Sequence, residues 1–184
     1  MQDNAGTSDS AASSGGNSSL PASSGDSPVE ASSPQEALRV DFYVLEESSA
    51  AGRLKLACRL AEKAYLAAQT ALVWHTDVQE LKAFDDMLWT FMDGSFVPHE
   101  MLTPAASVAE CPVMLSAGNI PPVTVDIIIN LAPEVPTCLA QTRRVAEIID
   151  GEDSRRRAGR ARFKAYRDLG IQPASHNIRS DSAT

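Results

Sequence analysis

The stretch VTVDIIINLA, Val123 to Ala132, constrains the fold more than any other segment. A strand with one wet face alternates apolar and polar residues, whereas a near-continuous apolar run needs cover on both sides, as in the interior of a parallel sheet. The rest of the chain must then provide helices for the two faces.

It does so in alternation. VDFYVL (Val40 to Leu45) is short, apolar and rich in β-branched and aromatic residues, which marks a first strand. In AAGRLKLACRLAEKAYLAAQ, the residues Leu54, Ala57, Cys58, Ala61, Tyr65 and Ala68 fall on one helical stripe. TALVWHT (Thr70 to Thr76) predicts a second strand. DVQELKAFDDMLWTF predicts a helix capped by Asp77 that buries Leu81, Phe84, Leu88 and Phe91. CPVMLSA fits a third strand, while RRVAEIID suits either period and stays open between strand and helix. A last helix, capped by Asp153 or Ser154, ends at Gly170 with Pro173 beyond. The fold class expected is α/β: a single open, mainly parallel, Rossmann-like sheet flanked by helices. No repeat of a length suited to a solenoid is visible.

Residues 1–37 form a low-complexity extension. Up to Pro34 they are mostly Ser, Ala, Gly, Asn and Asp, and only Met1, Leu20 and Val29 are sizeable apolar side chains. So little burial cannot offset the entropy of ordering, so disorder is expected there, with the folded domain over 38–174 and a flexible tail over 175–184. No basic segment followed by an apolar one resembles a secretory signal, and no apolar run reaches membrane-spanning length, so a soluble cytoplasmic protein is expected. Cys58, Cys111 and Cys138 lack C-x-x-C spacing and a His placed to complete a zinc site, so neither metal nor other cofactor is expected.

RRRAGRARFKAYR, Arg155 to Arg167, holds seven cations and no carboxylate in a chain of net charge −8. On a helical wheel Ala158, Ala161, Ala165 and Leu169 make a narrow apolar side, expected against the sheet. Arg156, Arg160, Phe163, Lys164 and Arg167 crowd within about 100° on the other side. Like charges four residues apart weaken an isolated helix by a few tenths of a kcal/mol each, so something outside the helix favours them. Three readings fit: a nucleic-acid backbone, an acidic peptide bound by guanidinium forks over an aromatic floor, or a solvated face paired with the domain's own acids. The acidity of the remaining chain favours a short acidic tail over a long polyanion. Phe163 among the cations suits a ligand with both charge and an apolar anchor. Trp89 lies off the apolar stripe of its own helix, among Lys82, Asp85 and Asp86.

Catalysis finds little support. Neither G-x-G-x-x-G nor G-x-x-x-x-G-K-[ST] occurs, and EESSAAG after the first strand offers Gly52 alone. His75 and Asp77 sit at the end of a predicted strand, where ligands often bind, yet a turn His beside a capping Asp explains both. His99 in SFVPHE has no evident catalytic partner.

Taken in order from Val40 to Gly170, FYVL, LWTFMDGSFVPHEM, VDIIINL and RARFKAYRDLG resemble the chi subunit of bacterial DNA polymerase III. The resemblance implies a non-catalytic α/β accessory protein of the clamp-loader assembly. It implies two partners: the psi subunit, which tethers chi to the clamp loader, and the C-terminal tail of single-stranded DNA-binding protein, acidic and ending in Pro-Phe with a free carboxylate. Contact with DNA would be indirect, and none with membrane is expected; direct binding of single-stranded nucleic acid by the basic helix is the alternative. By the motif, Arg156, Arg160, Phe163, Lys164 and Arg167 look like the tail-binding pocket, with Trp89 as a neighbouring wall. Phe96 and Val97 of SFVPH look like the psi-facing residues. The chain departs from the family pattern in its N-terminal extension, in its ending SHNIRSDSAT, and in Phe163 and Arg156 where some members have Tyr and Lys.

Overall fold

The computed structural model describes residues 37–102, 111–118, 124–137 and 139–179. The disorder expected for the N-terminal extension, and Cys138, therefore lie outside the described residues, save for Ala37. The chain order is β1 (Arg39–Leu45), α1 (Ala50–Leu66), β2 (Ala71–His75), α2 (Val78–Leu88), β3 (His99–Met101), β4 (Val113–Ala117), β5 (Val125–Asn130), β6 (Thr142–Ile149), α3 (Asp153–Asp168) and β7 (Ala174–Ile178). One sheet of order β3-β4-β2-β5-β6-β1-β7 joins them, and every pairing is parallel. The expected α/β sheet is present, fully rather than mainly parallel among the described residues. RRVAEIID resolves as the strand β6.

Side-chain alternation along the strands assigns each helix to a face. Val73, Leu115, Ile127 and Ile129 point to the side covered by Leu54, Ala57, Cys58 and Ala61 of α1 and by Leu81, Phe84 and Leu88 of α2. Leu72, Met114, Ile128, Val145 and Ile149 point to the other side, which α3 covers with Tyr166 and Phe163. The stripe expected in α1 is otherwise kept, with Ala64 added, Tyr65 only partly buried and Ala68 exposed beyond the helix end.

Local chemistry sets the helix ends. Ser49 accepts the Gly52 amide at the start of α1, and Asp77 accepts the Gln79 amide at the start of α2, as expected for that residue. The cap of α3 is Glu152, which accepts the amides of Ser154 and Arg155, and not Asp153 or Ser154. Its longer side chain reaches back over the first turn, which displaces the cap by one residue. At the other end Gly170 adopts φ +81°; its amide bonds the Arg167 carbonyl, and the Ile171 amide bonds that of Tyr166. That pair of bonds is a Schellman stop, which favours glycine at the left-handed position.

Two further expectations are corrected. The packed side of α3 is not Ala158, Ala161, Ala165 and Leu169, because Gly159, Arg162 and Tyr166 are the buried residues while Leu169 is 63% exposed. The cause is an acidic residue on the sheet: Glu147 of β6, fully buried, accepts from Arg162 Nε at 2.7 Å, Tyr166 Oη at 2.7 Å and Asn130 Nδ2 at 2.9 Å. A buried carboxylate demands donors, and those donors turn the helix. The tail expected to be loose from residue 175 is ordered through Ile178, since β7 pairs with β1 from Asp41 to Leu45. His176 reinforces the strand, stacking on Tyr43 with Nε2 3.1 Å from the buried Asp41 carboxylate.

Candidate functional site

With α3 the only α-helix on its face of the seven-stranded sheet among the described residues, an opening of about 350 Å³ lies beside it. Phe42 and Val44 of β1 and Ile149 of β6 form an apolar floor, Ser175 of β7 one border, and Arg156, Gly159, Arg160 and Phe163 of α3 the other. Phe163 is half-buried and meets Phe42 edge to face with ring centroids 5.2 Å apart. Gly159 leaves the helix close to Ile149 and so lets the floor and the cations meet.

The seven cations of α3 divide by role. Arg155 grips the buried Asp150 through Nε at 2.6 Å and Nη2 at 2.8 Å, and Arg162 serves Glu147. Arg157, Arg160, Lys164 and Arg167 are exposed and join none of the ion pairs among the described residues. Arg156 is half-buried; its Nη2 reaches the Glu46 carbonyl at 3.4 Å and its Nε has no partner. A strip of cations unpaired within the fold thus borders an apolar opening. Such a site holds carboxylates by charge-assisted bonds and an apolar side chain by burial.

Of the residues expected in this site, Arg156, Arg160 and Phe163 line the opening, with Lys164 and Arg167 further along the exposed side of α3. Trp89 is not a wall of it. It caps α2, which packs with α1 on the opposite face of the sheet, and its ring lies 5.7 Å from Phe96 and 4.7 Å from His99. The Phe96 and Val97 pair also divides: Phe96 is 63% exposed, whereas Val97 is 2% exposed and part of the core. Phe96, Trp89 (55% exposed) and Met92 therefore form an apolar patch near the edge strand β3. His99 anchors the patch from below, donating from Nδ1 to the Val97 carbonyl at 2.7 Å with Nε2 3.1 Å from Asp85.

Phe42, Val44, Ile149, Gly159 and Ser175 were not singled out in the sequence. The first three look like ordinary strand residues, and Ser175 fell in a segment expected to be loose. His75 Nδ1 accepts the Asp77 amide at 2.8 Å, so the turn-and-cap explanation accounts for both residues. Burial holds the His75 imidazole below its ordinary pKa, with Arg53 adding to the effect. Burial pushes the Cys58 thiol up to about 12, which leaves it inert as a nucleophile. Among the described residues no group of His, Cys, Asp and Glu could hold a metal ion, and no helix is long and apolar enough to cross a membrane.

Residues 38–174 match the family described as DNA polymerase III chi subunit, HolC. A Pseudomonas aeruginosa protein named DNA polymerase III subunit chi is 36% identical over 140 residues, a span of 76% of this chain and 96% of that one. Among solved structures, T4 UvsW aligns with a TM-score of 0.57 at 12% identity, over 77% of this chain and 42% of its own. The C-terminal domain of the DEAD-box protein Dbp5 aligns with a TM-score of 0.55 at 10% identity, over 79% of this chain and 92% of its own. At such identities these two likenesses speak for the fold alone.

Proposed function

The chain belongs to the chi subunit family of DNA polymerase III, and on that premise we propose that it is a non-catalytic adaptor whose α3 opening binds the acidic C-terminal tail of single-stranded DNA-binding protein. The observation that carries this reading is the union of an apolar floor, Phe42, Val44 and Ile149, with cations on α3 that the fold leaves unpaired. Arg160 and Lys164 hold the terminal carboxylate and nearby acids. Phe163, Phe42 and Ile149 receive the Pro-Phe end. The patch of Phe96, Trp89 and Met92 on the opposite face takes the psi subunit, so the two partners bind without competing for surface. Residues 38–174 act as the working domain, in the cytoplasm, and touch DNA only through these partners.

Each charge-assisted bond contributes about 1.5–3 kcal/mol and burial of one Phe roughly as much, against the cost of ordering a flexible peptide. The net is an affinity of roughly micromolar or weaker that fades with salt. Titration of the full chain with an acidic peptide ending in Pro-Phe, with a free or an amidated carboxylate, tests the reading. Saturable binding that weakens on amidation supports it. Equal competition by plain single-stranded DNA assigns the helix to nucleic acid instead.

A further inference from the structure

A second crevice, of about 320 Å³, opens on the other flank of α3. It sits at the carboxyl ends of β2 and β5, between which the chain's connections diverge: β2 leads by α2 towards β3 and β4, and β5 leads to β6. Open α/β sheets bind ligands at such a point because the strands end there and the helices that follow begin there. Here the first turns of all three helices supply lining residues, Arg53 from α1, Glu80 from α2, and Ser154 and Arg155 from α3.

Arg53 is the unusual member. It is 3% exposed, yet its guanidinium has only a 2.9 Å bond from Nη1 to the Leu131 carbonyl and a 3.3 Å contact from Nη2 to Glu80, whose side chain is half in solvent. Its Nε has no hydrogen-bond partner among the described residues. Burial pulls its pKa below the ordinary value, and Arg155 and Arg162 add to that effect. His75 contributes a further donor: its Nδ1 accepts the Asp77 amide, so in the neutral ring the proton sits on Nε2. Arg155 and Arg162 line the same space and add positive charge, but their donors are engaged: Arg155 grips Asp150 with Glu152 3.8 Å away, and Arg162 bonds Glu147 and the Pro133 carbonyl. A buried cation short of partners, an imidazole N–H, two further guanidiniums nearby and a wall of Leu131, Ala132 and Ile148 describe a receptor for a small oxyanion.

We propose that this crevice binds a single phosphate group, either free or as the monoester end of a small molecule, with the Arg53 guanidinium and His75 Nε2 as its inner donors. The absence of a glycine-rich loop limits it to one phosphate rather than the polyphosphate of a nucleotide. The site is separate from the peptide opening, so occupancy of one does not require the other. Glu80 opposes the anion, which gives the proposal a test of unusual sign.

The test uses the full ¹⁵N-labelled chain and follows the arginine Nε–H resonances as inorganic phosphate is added, with sodium chloride at matched ionic strength as control and with glycerol phosphate and acetate as further arms. The Arg53 resonance, identified by its loss in Arg53→Lys, is expected to move saturably with phosphate, with a rise in melting temperature. A tighter fit for glycerol phosphate than for phosphate identifies the monoester as the source. Glu80→Gln is expected to lower the apparent Kd by roughly two- to fivefold, the range of a partly exposed ion pair. If Arg53→Lys fails to fold, sequential assignment of the wild-type chain identifies the Arg53 resonance, and Glu80→Gln still reads the change in apparent Kd. An unmoved set of resonances, an equal response to chloride or acetate, or no gain in Glu80→Gln overturns the proposal.

Discussion

Gly159 of α3 lies so close to Ile149 of β6 that a Cβ on the glycine would stand 2.1 Å from Ile149 Cδ1. The absent side chain sets the distance between helix and sheet, and with it the depth of the opening beside Phe163. Gly159→Ala must push α3 outward or force Ile149 into another rotamer. Overpacking of this kind costs about 1–3 kcal/mol. Urea unfolding is expected to show that loss, and peptide affinity is expected to fall with it. Gly159→Ala combined with Ile149→Val is expected to recover part of both.

Neighbouring arginines of α3 are expected to behave in opposite ways. Arg160→Ala removes an exposed cation with no ion pair, so the melting temperature stays near wild type while affinity for an acidic Pro-Phe peptide drops about tenfold, the value of one charge-assisted bond. Arg162→Met leaves Glu147 buried without its cation and costs about 3–5 kcal/mol of stability. Calorimetry and peptide titration on the two variants separate the roles. A large stability loss in Arg160→Ala would make that face structural.

Phe96 and Val97 are adjacent in sequence and opposite in environment. Phe96→Ala is expected to leave the unfolding free energy within about 0.5 kcal/mol of wild type while weakening capture of the proposed psi partner. Val97→Ala opens a cavity in the core and is expected to cost about 1–3 kcal/mol. Trp89, whose ring is tilted against that of Phe96, reports on the patch by fluorescence, so Phe96→Ala is also expected to shift its emission.

Acid is expected to release α3 from its start. The Ser154 hydroxyl and the amides of Ser154 and Arg155 hold the Glu152 carboxyl down at about 2. Burial works to raise the Asp150 carboxyl, but the Arg155 fork and the Glu152 amide outweigh it and hold it below the ordinary range. Burial likewise opposes the donors around Asp41, where His176, Arg39 and Arg144 prevail. A depressed folded pKa gives stability that is complete above the unfolded value, near 4 to 4.5 for these groups, and is lost as pH falls through the folded value. Thermal melts from pH 7 to 2 are expected to be flat at first and then fall. Glu152→Gln and Asp150→Asn are each expected to lower the melting temperature at pH 7 and flatten the acid limb.

Periodicity carried most of the fold. The apolar run ending in IIIN could not be satisfied with one wet face, and strands alternating with amphipathic helices fix a parallel sheet for the same reason. The rotation of α3 was hidden because a wheel counts apolar residues, whereas here Glu147, distant in sequence, drew Arg162 and Tyr166 inward. Val97 was hidden because a Phe-Val pair before proline gives no sign of which side chain faces the core. β7 was hidden because ASHNI has little strand character of its own; its order comes from the open edge of β1 and the Tyr43–His176 stack.

The chain's own order of residues thus determined the α/β class, two of the three helix starts, the glycine stop of α3 and the concentration of cations there, since each depends on neighbours within a few positions. Only the tertiary structure decided which cations remain unpaired, that Trp89 sits beside Phe96 rather than Phe163, and that β1, β6 and β7 supply the floor and border beneath α3. Those outcomes depend on groups far apart along the chain meeting across a sheet, and a buried carboxylate or a missing Cβ sets that meeting more strongly than any local pattern.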